Sequence, residues 1–181
     1  TTDQILNFDK SKNLAYYDVL TFDGIDYWTV CSYDKSKNAT TYDLDFPGAQ
    51  IKDVTKVDLS AYSDITEIAN NCFSGYNMIT SITLNSGLTE IGLNAFYTGS
   101  KLADMTLPAT VTKIHGPIFN ASLPDNLTLK ATTPPDFYNG TSIDKNLAIS
   151  QPTPGTQVLV VPSGTVATYQ EYNGTTNAWG Q

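Results

Sequence analysis

Between Ile65 and Leu129 the chain prints one apolar pattern again and again, with a period of 23 residues. Ile68, Ile91 and Ile114 stand 23 apart, as do Phe73, Phe96 and Phe119, and Ile65, Leu88 and Val111. Ile79 with Leu102, Ile82 with Met105 and Leu84 with Leu107 keep the same spacing. A fixed period of this length means stacked supersecondary units rather than one closed globule. Each unit holds too few apolar side chains to bury them alone. Stacking turns each repeated position into a continuous apolar column.

Each unit carries two apolar alternations. Ile79-x-x-Ile82-x-Leu84 recurs as Leu102-x-x-Met105-x-Leu107. Its period-two end, interleaved with Thr, predicts a strand. Ile65-x-x-Ile68 recurs at Leu88 and Val111 and predicts a second small strand or an extended turn. A small residue before Phe lies between them, at Cys72-Phe73, Ala95-Phe96 and Ile118-Phe119. Val54-x-x-Val57-x-Leu59 extends the strand motif upstream, and Leu127-x-Leu129 extends it downstream. Four strands therefore stack, spanning under about 20 Å at roughly 4.8 Å per strand.

The ends read differently. NLAYYDVLTF, Asp23-Gly24 and IDYWTVCS predict a hairpin on a two-residue turn, since Asp-Gly suits type I′ geometry. ATTYDLDF adds a third strand, so residues 1–50 are expected to form a β-meander that caps the first repeat. Residues 51–133 are assigned to the repeats and 134–181 to a C-terminal cap. Within that cap 134–157 reads as loop, 157–161 as a strand, and Ser163 to Tyr172 as a short helix.

The repeated phrases resemble the BspA-type leucine-rich repeat of bacterial surface proteins. Leu102, Met105, Leu107, Pro108, Val111 and Ile114 match the first part of its unit, and Ala95-Phe96 matches its A-F step. Cys72 and Ile118 depart from that alanine, and no copy has the family's cysteine after Phe. Thr133-Pro134-Pro135, the strand Val158–Val161 followed by Pro162 and Gly164, then Tyr169 and Trp179 are similar to the family's frequent ending. The resemblance covers about residues 51–181. It implies a β-rich leucine-rich-repeat solenoid of about three and a half repeats with little helix. It also implies an extracellular or outer-surface location and a role in binding or adhesion.

The charge excludes one class of partner. Ten basic residues face eighteen acidic ones, a net charge of −8, and every basic residue is a scattered lysine. Nucleic-acid binding needs a positive footprint, which this chain lacks. No apolar run reaches the length of a spanning helix. The chain starts at Thr1 rather than Met, as expected of a processed form without its targeting segment. Five Asn-x-Ser/Thr triplets, at Asn38, Asn120, Asn126, Asn139 and Asn173, follow from a composition rich in Asn and Thr. Cys72 shares an inward column with Ala95 and Ile118 and reads as a small buried hydrophobe rather than the partner of Cys31.

Catalytic sets are absent from this reading. His115 is the single histidine, in the position shared by Ala69 and Gly92, and reads as a turn residue. One His and two separated Cys make no zinc site. Asp23/Asp26, Asp43/Asp45 and Asp53/Asp58 are the carboxylate pairs a hydrolase would draw on, but they read as turn and solvated-strand residues. No cofactor or metal is expected.

The outward strand positions form polar columns: Lys56, Ser81, Asp104, Asn126; then Asp58, Thr83, Thr106, Thr128; then Ser60, Asn85, Pro108, Lys130. They read as a solvated β-surface, or as a flat hydrogen-bonding surface for protein or glycan. Candidate contact residues are Asp58, Thr83, Thr106, Thr128, Ser81 and Asp104, together with the aromatic ends, represented by Trp28 and Tyr169. Aromatic anchors tend to dominate contact energy. The functional expectation is a non-catalytic binding or adhesion module. An accessory subunit of a surface glycan-handling assembly stands second, and a carboxylate hydrolase third.

Overall fold

The computed structural model describes residues 14–22, 25–36, 39–42, 56–60, 62–74, 78–97, 102–119, 123–143 and 158–171. Two sheets run along it. The first is made by β4 (Lys56–Asp58), β6 (Ser81–Thr83), β8 (Asp104–Leu107), β10 (Asn126–Leu129) and β13 (Val158–Val160). Their order is β13-β10-β8-β6-β4, and each pair is parallel. The second contains β5 (Glu67–Ile68), β7 (Glu90–Ile91), β9 (Lys113–His115) and β11 (Asp136–Asn139), also parallel. β12 (Ser142–Ile143) closes one edge of it as an antiparallel hairpin arm. This is a leucine-rich-repeat solenoid of about three turns, in which each successive turn adds a parallel strand to both sheets.

The period sets the register. Lys56 pairs with Ser81, Ser81 with Asp104, and Asp104 with Asn126. On the second sheet Ile68 pairs with Ile91, Ile91 with Ile114, and Ile114 with Phe137. All four are completely buried. Phe73, Phe96 and Phe119 form another buried column, with ring centroids 5.9 Å and then 5.7 Å apart. Val57, Ile82, Met105 and Leu127 line the first sheet's inner side. The core is thus a set of apolar ladders running between the two sheets.

Sharp corners separate the strands, and the sequence meets them residue by residue. Asn71 and Asn94, 23 apart, hold left-handed backbone at φ 58 and 54. Asn tolerates that region better than most side chains. The third copy has Pro117 there, and its ring forbids positive φ. The left-handed residue is instead Gly116, one step earlier, at φ 65. At Gly92 a Cβ would stand 2.4 Å from the Asn70 backbone nitrogen, so only glycine fits between successive turns.

The N-terminal strands are β1 (Leu14–Phe22), β2 (Ile25–Asp34) and β3 (Ala39–Tyr42), an antiparallel meander. β1 and β2 pair down to Phe22↔Ile25, while the turn residues Asp23 and Gly24 lie outside the described residues. β1 adds in parallel to β5, with Leu14 opposite Glu67 and Ala15 opposite Ile68. It therefore extends the second sheet, whose full order is β12-β11-β9-β7-β5-β1-β2-β3.

Three expectations change at the C-terminal end. Residues 136–139 and 142–143 are strands rather than loop. Phe137 lies one period beyond Ile114, so the buried column continues there. The first sheet has five strands rather than four, because β13 adds beside β10 and offers that rung a paired edge. His115 is a strand residue, not a turn residue. α1 (Val166–Glu171) falls within the stretch read as helical. Cys72 is a fully buried thiol rather than half of a disulfide.

Candidate functional site

Strand alternation turns every second residue of the first sheet outward. Val57, Ile82, Met105 and Leu127 point in, so Lys56/Asp58, Ser81/Thr83, Asp104/Thr106 and Asn126/Thr128 point out. Pairing brings the sequence-derived candidates side by side: Asp58 opposite Thr83, Thr106 opposite Thr128, and Ser81 opposite Asp104. Asp58, Thr83, Asp104 and Thr106 are exposed, while Ser81 and Thr128 are half-buried.

Two carboxylates on this face are held in place. Asn126 Nδ2 donates to Asp104 Oδ1 at 2.6 Å. The Ser60 backbone N–H donates to Asp58 Oδ1 at 2.9 Å. Hydrogen bonds from the Ser60 hydroxyl and then from its backbone N–H keep the Asp58 carboxyl below the usual carboxylate range. Hydroxyls and carboxamides fill the ground between them. Such a face can exchange hydrogen bonds with a ligand.

The polar columns end on valine. Val158 continues the Ser81/Asp104/Asn126 column, and Val160 continues the Thr83/Thr106/Thr128 column. They are 50 % and 43 % exposed. The face therefore runs from polar and charged side chains on β4 to β10 to an apolar edge at β13. The valine alternation Val158-x-Val160 carried this signal, but only the added rung gives it a place.

Two expected surface residues are not on the surface. Asn85, assigned to the third outward column, is 3 % exposed. Its Nδ2 donates to the Ile65 carbonyl at 2.9 Å and also to the Tyr62 carbonyl, bracing the turn of the preceding repeat. Tyr169, a candidate contact residue, is also 3 % exposed, and its hydroxyl donates to the Ala131 carbonyl at 2.9 Å. Its ring closes the core beneath α1, so it leaves the candidate surface. Trp28 lies in β2, with its side chain outside the description.

The second sheet carries a polar cluster that the sequence reading missed. Glu90 is 8 % exposed and lies beside His115, with Nε2 to Oε1 at 2.6 Å. Lys113 Nζ stands 4.0 Å from Glu90 Oε2 and 5.5 Å from the centroid of the Tyr138 ring. The His115 and Tyr138 rings lie 5.7 Å apart. These residues come from three successive strands, so the cluster ties the last repeat to the β11–β12 hairpin. Among the described residues no group of three or more His, Cys, Asp or Glu side chains could hold a metal ion. No described helix is long and apolar enough to cross a membrane.

Comparison with known proteins agrees with the geometry. Residues 49–135 match the BspA type leucine-rich repeat region, in six copies. No curated protein matches the chain.

Proposed function

Residues 49–135 of this chain are BspA-type leucine-rich repeats, and from that premise we propose that it is a non-catalytic surface or secreted binding module. Its ligand is a protein or glycan, held on the outward face of the five-stranded sheet. The observation that supports this reading is the alignment of Asp58, Thr83, Thr106 and Thr128 into one outward row across four parallel strands, exposed at the first three and half-buried at Thr128. Short side chains on a flat sheet leave the backbone pleat accessible, so a ligand can lie across the strands. The exposed Val158 and Val160 give the row an apolar end, where desolvation adds to hydrogen bonding.

The test is a glycan array run beside a panel of host-matrix proteins, using the whole chain. Thr106→Lys places a long charged side chain in the middle of the row without touching the core. It should abolish whatever binding the arrays detect, and a chelator should leave that binding intact. Binding that survives Thr106→Lys unchanged removes the site from this face. Sugar-only binding would favour the accessory role in glycan handling, and turnover of a bound substrate would overturn the non-catalytic reading.

A further inference from the structure

We propose that Asn139 is a site of spontaneous deamidation, built into the β11–β12 hairpin. The hairpin turns through Gly140 and Thr141, with Asn139 paired to Ser142 as the last rung. Gly140 has φ 61, the glycine-first pattern of a two-residue type II′ turn. Asn139, Gly140 and Thr141 are all exposed. A Cβ added at Gly140 would meet nothing within 4 Å, so no other described segment packs against the Cα of this glycine.

The reaction needs an unhindered backbone nitrogen after an asparagine whose side chain can swing onto it. The Gly140 nitrogen attacks the Asn139 side-chain amide carbon and loses its proton, while the side-chain nitrogen leaves as ammonia. The cyclic imide that results is opened by solvent water at either carbonyl, giving aspartate or isoaspartate. No oxidant or enzyme enters the balance.

The other described asparagines are protected by the same geometry that builds the solenoid. The backbone N–H after Asn70 donates to the Leu93 carbonyl, that after Asn71 to Ala69, and that after Asn94 to Gly92. Asn85 and Asn126 have their own side-chain amides engaged. Each is followed by a residue with a side chain. Among the described residues, no hydrogen bond engages the Gly140 N–H or the Asn139 side chain. Conversion to isoaspartate adds a backbone methylene at the Asn139↔Ser142 rung and a negative charge three residues from Asp136. It would release the β12 arm from the sheet edge.

The experiment ages the intact chain in native, mildly alkaline buffer and in urea. Peptide mapping with enzymatic isoaspartate methylation then locates the products. Native Asn139 should convert at a rate of the same order as in urea, while Asn70, Asn71, Asn85, Asn94 and Asn126 convert far more slowly in the native chain. Asn139→Gln should remove the product from that peptide and lower total methylation. Native Asn139 that stays intact while the urea sample converts would overturn the proposal. So would total methylation that Asn139→Gln leaves unchanged.

Discussion

His115 Nε2 lies 2.6 Å from Glu90 Oε1, across neighbouring strands of the second sheet and one repeat apart. Glu90 is buried, so His115 satisfies a carboxylate that water scarcely reaches. Removing one partner of such a pair costs far more than the pair's net contribution. His115→Ala should therefore lower unfolding stability by about 1–3 kcal/mol, read as a shift in the urea midpoint. His115→Gln keeps an N–H donor and should recover part of the loss. Lys113 is half exposed at 4.0 Å, and Lys113→Ala should cost well under about 1 kcal/mol. Equal losses for the two alanine variants would mean that the cluster is held by charge rather than by the close hydrogen bond.

The phenylalanine column is the heart of the stack. Phe96 stacks on Phe73 with their planes 8° apart and meets Phe119 on its other side. Phe96→Ala removes both contacts and opens a cavity between two turns that cannot collapse independently. The expected cost is about 3–5 kcal/mol, measured by chemical denaturation. A loss below about 1 kcal/mol would mean that the turns can close over the gap.

How far the sequence revealed this fold depends on the direction in which information runs. Positions related by 23 residues are stacked neighbours, so the ladders of Ile68, Phe73 and Thr83 were legible by counting. The same count reaches Phe137 from Ile114, but the surrounding prolines made that stretch read as loop. The Glu90–His115 pair was hidden because the two residues are 25 apart and the contact is diagonal between rungs. Asn85 shows the opposite limit. Its column is outward in other copies, and only the three-dimensional turn reveals two carbonyls waiting inside. Of the candidate face, the polar rows were visible in the sequence. Their valine ends were not, because β13 joins the sheet across a long stretch of chain.

Asn85 gives a sharp test of that inward role. Its Nδ2 serves the Tyr62 and Ile65 carbonyls together, so one side chain closes the preceding turn. Asn85→Ala strands both acceptors and should cost about 1–3 kcal/mol. Asn85→Asp offers a carboxylate to two carbonyl oxygens and should cost more at neutral pH. Thermal melts of the two variants would check the order. An aspartate variant as stable as the wild type would remove the amide from its bracing role.

Tyr169 supplies a pH signature for the C-terminal closure. Burial pushes its phenol up from 10.0 to about 12, because the folded environment disfavours the phenolate. The raised value fixes the sign. Tyr169 contributes its full stabilisation below the unfolded value near 10.0, and that contribution is lost as pH rises through about 12. Tyr169→Phe removes both the titration and the hydrogen bond to the Ala131 carbonyl. At neutral pH the variant should be less stable by about 0.5–1.5 kcal/mol. Between pH 10 and 12 the wild type should lose stability that the variant does not, so the gap between their urea midpoints should narrow and then reverse. Comparing the two proteins cancels the titration of the other tyrosines and the lysines. A gap that stays constant across this window would mean that the Tyr169 hydroxyl is hydrated in the folded state, and that α1 does not seal the end of the core.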